Sequence, residues 1–158
     1  MQQGGFEERP VGVVPGAAAA DRGTLTAVWE DSLRQHAAQP ACRYMGTPFS
    51  YRQIDGLAND LAAWLQQQGL ARGDRVALML PNVPQVLVAA LAIWRAGAVV
   101  VHLNPLHGGR ELVHQLKDSG ARLVVVIDTS AATLQLALDS LPAPPQVLNP
   151  PANFGTDA

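Results

Sequence analysis

Three predominantly apolar stretches, at 76–80, 98–103 and 123–127, organise the middle of the chain. Between each pair lies enough sequence for one helix, with apolar positions recurring at three- and four-residue spacing. The apolar stretches do not alternate with polar residues, so both faces of each strand are expected to be covered. That pattern predicts a parallel sheet with helices on both sides. Right-handed crossovers then distribute the helices over the two faces, giving a doubly wound, mostly parallel α/β layer.

The punctuation agrees with this reading. Thr24 is placed to cap a helix whose apolar stripe is Leu25, Val28, Trp29 and Leu33, ending before Pro40. Residues 42–45 and 48–50 read as two short strands joined at Gly46 and Thr47. Ser50 and Gln53 have capping-box spacing and open a second helix with Ile54, Leu57, Ala58, Leu61 and Leu65 inward. Gly69 supplies its left-handed stop. Asn82 and Gln85 repeat the capping pattern for a third helix, with Pro84 in its first turn and Gly97 after its end. A fourth helix is expected over 109–119, with Leu112, Val113 and Leu116 inward and Gly120 closing it. A fifth begins near Ser130 and buries Leu134, Ala137, Leu138 and Leu141. Residues 146–148 complete the series as one more strand.

Composition refines the picture at the ends. Residues 1–23 are rich in Gly, Ala and Pro without periodicity and read as a disordered lead-in. Residues 24–148 form the folded α/β portion, and 149–158 read as a truncated tail. With 158 residues, 48% of them hydrophobic, the chain can bury one core. Its 11 basic and 13 acidic side chains are interspersed, which gives no electrostatic case for nucleic acid or an anionic membrane. The start of the chain has no basic and apolar segments of signal-peptide type, and no apolar stretch is long enough to span a bilayer. One cysteine, Cys42, excludes an intrachain disulfide and suits a reducing compartment. The expected setting is cytoplasmic.

The chemistry such sheets support sits beyond the carboxyl ends of the strands. There this chain offers Pro81 and Asn82, Asn104 and Pro105, and Asp128 and Thr129. Neither a G-x-G-x-x-G turn nor a G-x-x-x-x-G-K-[ST] loop is present to cradle phosphates. Asn82 reads as a helix cap rather than a ligand contact. His102, His107 and His114, with Glu111 between them, invite a metal hypothesis, but they fall on a strand, a loop and a helix without the i, i+4 spacing of a helical zinc site. Glu7 with Glu8 and Glu30 with Asp31 are sequence neighbours that point apart. Ser119 and Ser130 have no base nearby in sequence. Trp29, Trp64 and Trp94 read as packing residues whose indole N–H groups find local acceptors. The expectation is therefore no catalytic, no cofactor-binding and no metal-binding residue in this chain.

A likeness joins these segments. FSYRQID, LARGDRVALMLPN, WRAGAVVVHLNPLHGGREL and HQLKDSGARLVVV, in this order, resemble the N-terminal segment of AMP-forming acyl-CoA synthetases, in the fatty-acid–CoA ligase branch of the adenylate-forming superfamily. The resemblance covers about residues 25–148. It implies an enzyme that uses ATP to turn a carboxylic acid into an acyl-adenylate, releases pyrophosphate, and passes the acyl group to coenzyme A. ATP, Mg2+ and CoA are implied for the full-length family, and none of them for this chain alone. The family's Ser/Thr/Gly-rich ATP loop, adenine motif, hinge and catalytic lysine lie downstream of the matched region. One departure stands out: His107, Gly108 and Gly109 replace the family's aromatic-Thr-Pro stretch before Arg110-Glu111-Leu112, which loosens that loop.

Three classes of function follow, of which an independent small nucleotide-binding domain is disfavoured by the missing phosphate loop. In the first, the chain is the N-terminal part of a fatty-acid–CoA ligase, truncated or split, inactive alone and partnered by the downstream domains or a chain carrying them. In the second, it is a non-catalytic, stand-alone α/β interaction domain. Apolar helix faces and an open strand edge are expected to drive self-association unless a partner covers them.

Overall fold

A computed structural model describes residues 23–126 and 128–148. The expected lead-in and tail fall almost wholly outside these residues, as does Ile127. The elements run α1 (Leu25–His36), β1 (Pro40–Tyr44), β2 (Thr47–Ser50), α2 (Tyr51–Gln67), β3 (Arg75–Met79), α3 (Pro84–Arg95), β4 (Val99–His102), α4 (Gly109–Ser119), β5 (Leu123–Val126), α5 (Asp128–Leu138) and β6 (Gln146–Leu148).

The four later strands form one parallel sheet in the order β4-β3-β5-β6, with Val76 opposite both Val100 and Leu123. The chain leaves β3 in one direction to reach β4, then returns past β3 to β5 and continues to β6. Crossovers of one hand must therefore put α3 on one face and α4 and α5 on the other. The core divides accordingly. Val76, Leu78, Leu123 and Val125 pack with α2 and α3, while Ala77, Met79, Val124 and Val126 pack with α4 and α5. The period-two alternation of a strand feeds both layers from one continuous apolar stretch. The doubly wound α/β expectation holds. Among the described residues no helix is long and apolar enough to cross a membrane.

Local signals explain most boundaries. The Thr24 hydroxyl accepts from the Ala27 N–H at 3.2 Å. Ser50 and Gln53 form a reciprocal capping box, worth roughly 1 kcal/mol to the start of α2. Gly97 (φ +75°) and Gly120 (φ +58°) end α3 and α4 in the left-handed conformation.

Several expectations are corrected. The stripe of α1 is the exception, since an uncovered apolar helix face is among the expectations: Leu25 is 60% exposed, and no α1 residue is fully buried. The helix lies outside α2 and α3, two layers from the sheet, so it meets side chains rather than a strand surface. The hairpin turns at Met45 (φ +48°) and Gly46 (φ +87°), one residue earlier than expected, because a two-residue type I′ turn needs both central residues at positive φ. Asn82 is not a cap. Val83 occupies the N-cap of α3 with extended backbone, and no side chain caps that end. The reason is Pro84: it takes the first helical position, and its ring holds the preceding residue out of the helical region. Helix α5 starts at Asp128, two residues before Ser130, and Leu141 lies beyond its end, half-buried. Finally, β4 is not covered on both faces. It is an edge strand, and Val99 is 49% exposed.

Candidate functional site

On the α3 face, at the carboxyl end of β4, the chain encloses a cleft of about 430 Å³. Its floor is the outward side of α3, formed by Val83, Val86, Leu87, Ala90 and Trp94. That helix buries its other side, including Val88, Leu91 and Ile93, in the core shared by α2 and the sheet. Twelve residues with apolar side chains almost all round leave a second apolar stripe once the first is packed. Strand β1 supplies one wall through Cys42, Arg43 and Tyr44, and His102 of β4 and Asn82 complete the rim. Among the described residues no Asp or Glu lines the cleft.

Trp94 also borders a second hollow of about 380 Å³ with Thr24, Thr26, Arg72 and Arg95. The Arg95 guanidinium is committed to an interhelical network. It pairs with the Asp55 carboxylate, with both side chains 16% exposed, and donates to the Asn59 amide oxygen at 2.8 Å. The Trp29 indole N–H donates to the same Asp55 carboxylate at 3.0 Å, so this network ties α1, α2 and α3 together.

The candidate chemistry falls out as follows. His102 faces the cleft, His107 shares a hydrogen bond with Gln115 at 3.2 Å, and His114 is exposed on α4. Among the described residues no three His, Cys, Asp or Glu side chains come together where they could hold a metal ion. Burial pushes the Cys42 thiol up from its ordinary pKa, which keeps it protonated and a poor nucleophile. Asn104 accepts from the Leu106 N–H at 2.9 Å, an Asx turn that shapes the loop after β4. Asp31 pairs with Arg34 on α1, and the Ser119 hydroxyl is engaged with the Leu116 carbonyl and the Ala121 N–H at the end of α4. The Trp29 indole has its local acceptor in Asp55, while Trp64 and Trp94 pack half-buried on the core.

At the opposite, amino end of the sheet, Asp74 accepts from the Ala71 N–H at 2.9 Å and pairs with Arg122. The Ala71 N–H first, then Arg122 and Arg75, hold its carboxyl below the ordinary range against a smaller desolvation effect. Sequence reasoning missed both ion-pair networks and the cleft. The pairs join residues 40 and 48 apart, and no local spacing signals them.

The sequence pattern of the family described as AMP-binding enzyme matches residues 29–152. A long-chain-fatty-acid–CoA ligase of Escherichia coli is 45% identical over 117 residues, which are 73% of this chain and 21% of that protein. The protein of the same name from Yersinia pestis is 43% identical over 124 residues, 77% of this chain and 22% of its own length. The chain thus spans about a fifth of the curated relatives it matches. In three dimensions it superposes on a benzoate CoA ligase from Burkholderia xenovorans with a TM-score of 0.70, covering 79% of this chain and 26% of that one. At 24% identity that likeness speaks to the fold alone.

Proposed function

The chain belongs to the AMP-binding enzyme family, and from that premise we propose that it forms the opening sheet layer of a long-chain fatty-acid–CoA ligase. The whole enzyme activates a carboxylic acid with ATP to an acyl-adenylate and transfers the acyl group to coenzyme A. The observation that carries this reading is 45% identity to a ligase of that name across 73% of the chain.

Within that enzyme this segment acts as scaffold, and the catalytic side chains come from the remainder. The described residues do not fit a magnesium–nucleotide. Helix α3, which leaves the end of β3, begins with Pro84, which has no N–H to offer a phosphate. At the start of α4 the Glu111 carboxylate folds back to within 2.9 Å of where a Gly108 Cβ would stand, so an incoming anion would meet negative charge. The cleft itself holds no carboxylate for a metal. Adenylation needs amides, a metal and a cation converging on the transferring group, and these side chains do not converge.

The test is acid-dependent ATP–pyrophosphate exchange. The purified chain alone is expected to give none with a long-chain fatty acid. Co-expression with the part of the Escherichia coli ligase that follows its matched 117 residues is expected to restore exchange. Robust exchange by the chain alone would overturn the scaffold role. Failure of the two parts to restore exchange, with a sharply melting monomeric chain, would favour the stand-alone interaction domain.

A further inference from the structure

The cleft beside α3 lies next to an open strand edge, and the two together describe a seat for one more strand. In β4 the Val99 and Leu103 N–H groups donate inward, to Asp74 and Leu78 at 2.8 and 2.9 Å. Strand geometry alternates these directions, so Val100 and His102 present their N–H and C=O groups outward. Among the described residues no strand pairs with that edge. The side chains of these two residues meanwhile lie on the α3 face: Val100 packs against its core and His102 lines the cleft. Across the cleft stands β1. The type I′ turn makes Tyr44 and Thr47 the closing hydrogen-bonded pair, so the next pair, Arg43 with Pro48, is the non-bonded kind and the Arg43 backbone also faces outward.

We propose that this seat receives an extended segment from the remaining four fifths of the ligase, a segment that adds a strand to β4 and carries a carboxylate for Arg43. Backbone groups of Val100 and His102 supply the ladder. The apolar stripe of Val86, Leu87, Ala90 and Trp94 takes alternate side chains, which is how strand addition obtains affinity and specificity together. Charge selects the occupant. A second copy docked through the same cleft would bring no acidic side chain among the described residues to Arg43, whereas an acidic segment supplies a counter-ion. The length of the relatives provides the polypeptide from which such a segment comes. The identity of that polypeptide rests on the ligase reading; the strand seat itself does not.

The experiment uses the whole 158-residue chain and a set of overlapping synthetic peptides covering the Escherichia coli ligase beyond its matched region. Binding is followed by tryptophan fluorescence, to which Trp94 beside the seat contributes, and the ladder by amide hydrogen exchange. The expected result is saturable binding by a peptide of alternating apolar residues that contains Asp or Glu. Exchange at Val100 and His102 should then slow about tenfold or more. Two variants are expected to weaken this binding about tenfold, Arg43→Glu at an unchanged melting temperature and Val100→Pro with the modest loss that trimming a half-buried valine brings, compared with Val100→Ala as the packing control. Arg43→Glu reverses the charge. Val100→Pro removes an outward N–H, the one kind of strand position where proline spares the existing ladder.

Saturable binding without slowed exchange at Val100 and His102 would overturn strand addition, as would the absence of any binding peptide. A concentration-dependent dimer that Val100→Pro dissociates would assign the seat to a second copy and overturn the proposal. Restored ATP–pyrophosphate exchange that neither variant weakens would refute the seat while leaving the ligase reading intact. Peptide binding without restored exchange would do the reverse.

Discussion

Asp55→Ala is the substitution that most directly probes how the outer helix is held. Asp55 accepts from the Trp29 indole N–H at 3.0 Å and pairs with Arg95, and both members of the ion pair are 16% exposed. Removing one partner of a well-buried pair costs roughly 3–5 kcal/mol, because the other charge is stranded. Arg95 is not fully stranded here. It keeps the Asn59 amide oxygen at 2.8 Å and the Asp55 backbone carbonyl at 3.4 Å, and it retains some water. The carboxylate's bonds to Arg95, to the Trp29 N–H and, at 3.3 Å, to the Asn59 amide N–H are lost, and the partners left to Arg95 bring the expected cost down to about 2–3 kcal/mol. For a chain of this size that corresponds to a fall of roughly 5–10 °C in melting temperature. Because α1 buries no residue fully, its amides should exchange faster before the sheet loosens. The assay is urea unfolding followed by tryptophan fluorescence, run as a double-mutant cycle with Arg95→Met. A cost below about 0.5 kcal/mol for Asp55→Ala, or additivity of the two substitutions, would refute the claim that this network anchors α1 to α2 and α3.

Two further outcomes test the sheet's amino end. Gly97→Ala forces a side chain into φ +75° with its Cβ 3.2 Å from the Arg72 Cγ, so thermal unfolding should report a loss of about 1–2 kcal/mol. Asp74 carries a folded-state pKa below its ordinary one, so its contribution is complete above the ordinary carboxylate range and disappears as pH falls through the lower, folded value. Asp74→Asn should therefore lower stability at neutral pH and flatten the acid limb of a stability-against-pH profile, and an unchanged acid limb would refute that assignment.

What could be read from the sequence was local, and what could not was relational. Glycines 69, 97 and 120 each mark a helix end because only the residue itself and its immediate neighbours decide a left-handed stop. The Ser50 capping box is legible for the same reason. At Asn82 two local signals competed, and the covalent constraint of Pro84 outweighed one side-chain hydrogen bond. Strand order was not legible. The apolar stretch ending in β4 looks as buried as that of β3, yet β4 lies at the edge, and only its closing His102 hinted that one side meets water. The Asp55–Arg95 and Asp74–Arg122 pairs were invisible because they exist only once distant helices and strands are packed.

The strand order also bears on the strand seat proposed for the cleft. Reversing direction after β4 sets the carboxyl ends of β3 and β5 side by side, with α3 and α5 leaving toward opposite faces. That is the crevice in which open α/β sheets bind ligands, and phosphates are held there by glycine-rich turns and free helix amides. At the β3 side this chain places Pro81, Asn82, Val83 and Pro84 instead: two residues without an N–H, an exposed amide and a β-branched cap. Such a turn offers few donors and cannot approach a pyrophosphate closely. It does direct Asn82 and Val83 onto the α3 face, where they join Arg43, Trp94 and His102 around a largely apolar hollow beside an open strand edge. The topology provides the crevice, and the side chains at its mouth decide its chemistry. On the proposed reading they favour a strand of polypeptide over a phosphate, and nucleotide binding falls to the remainder of the ligase.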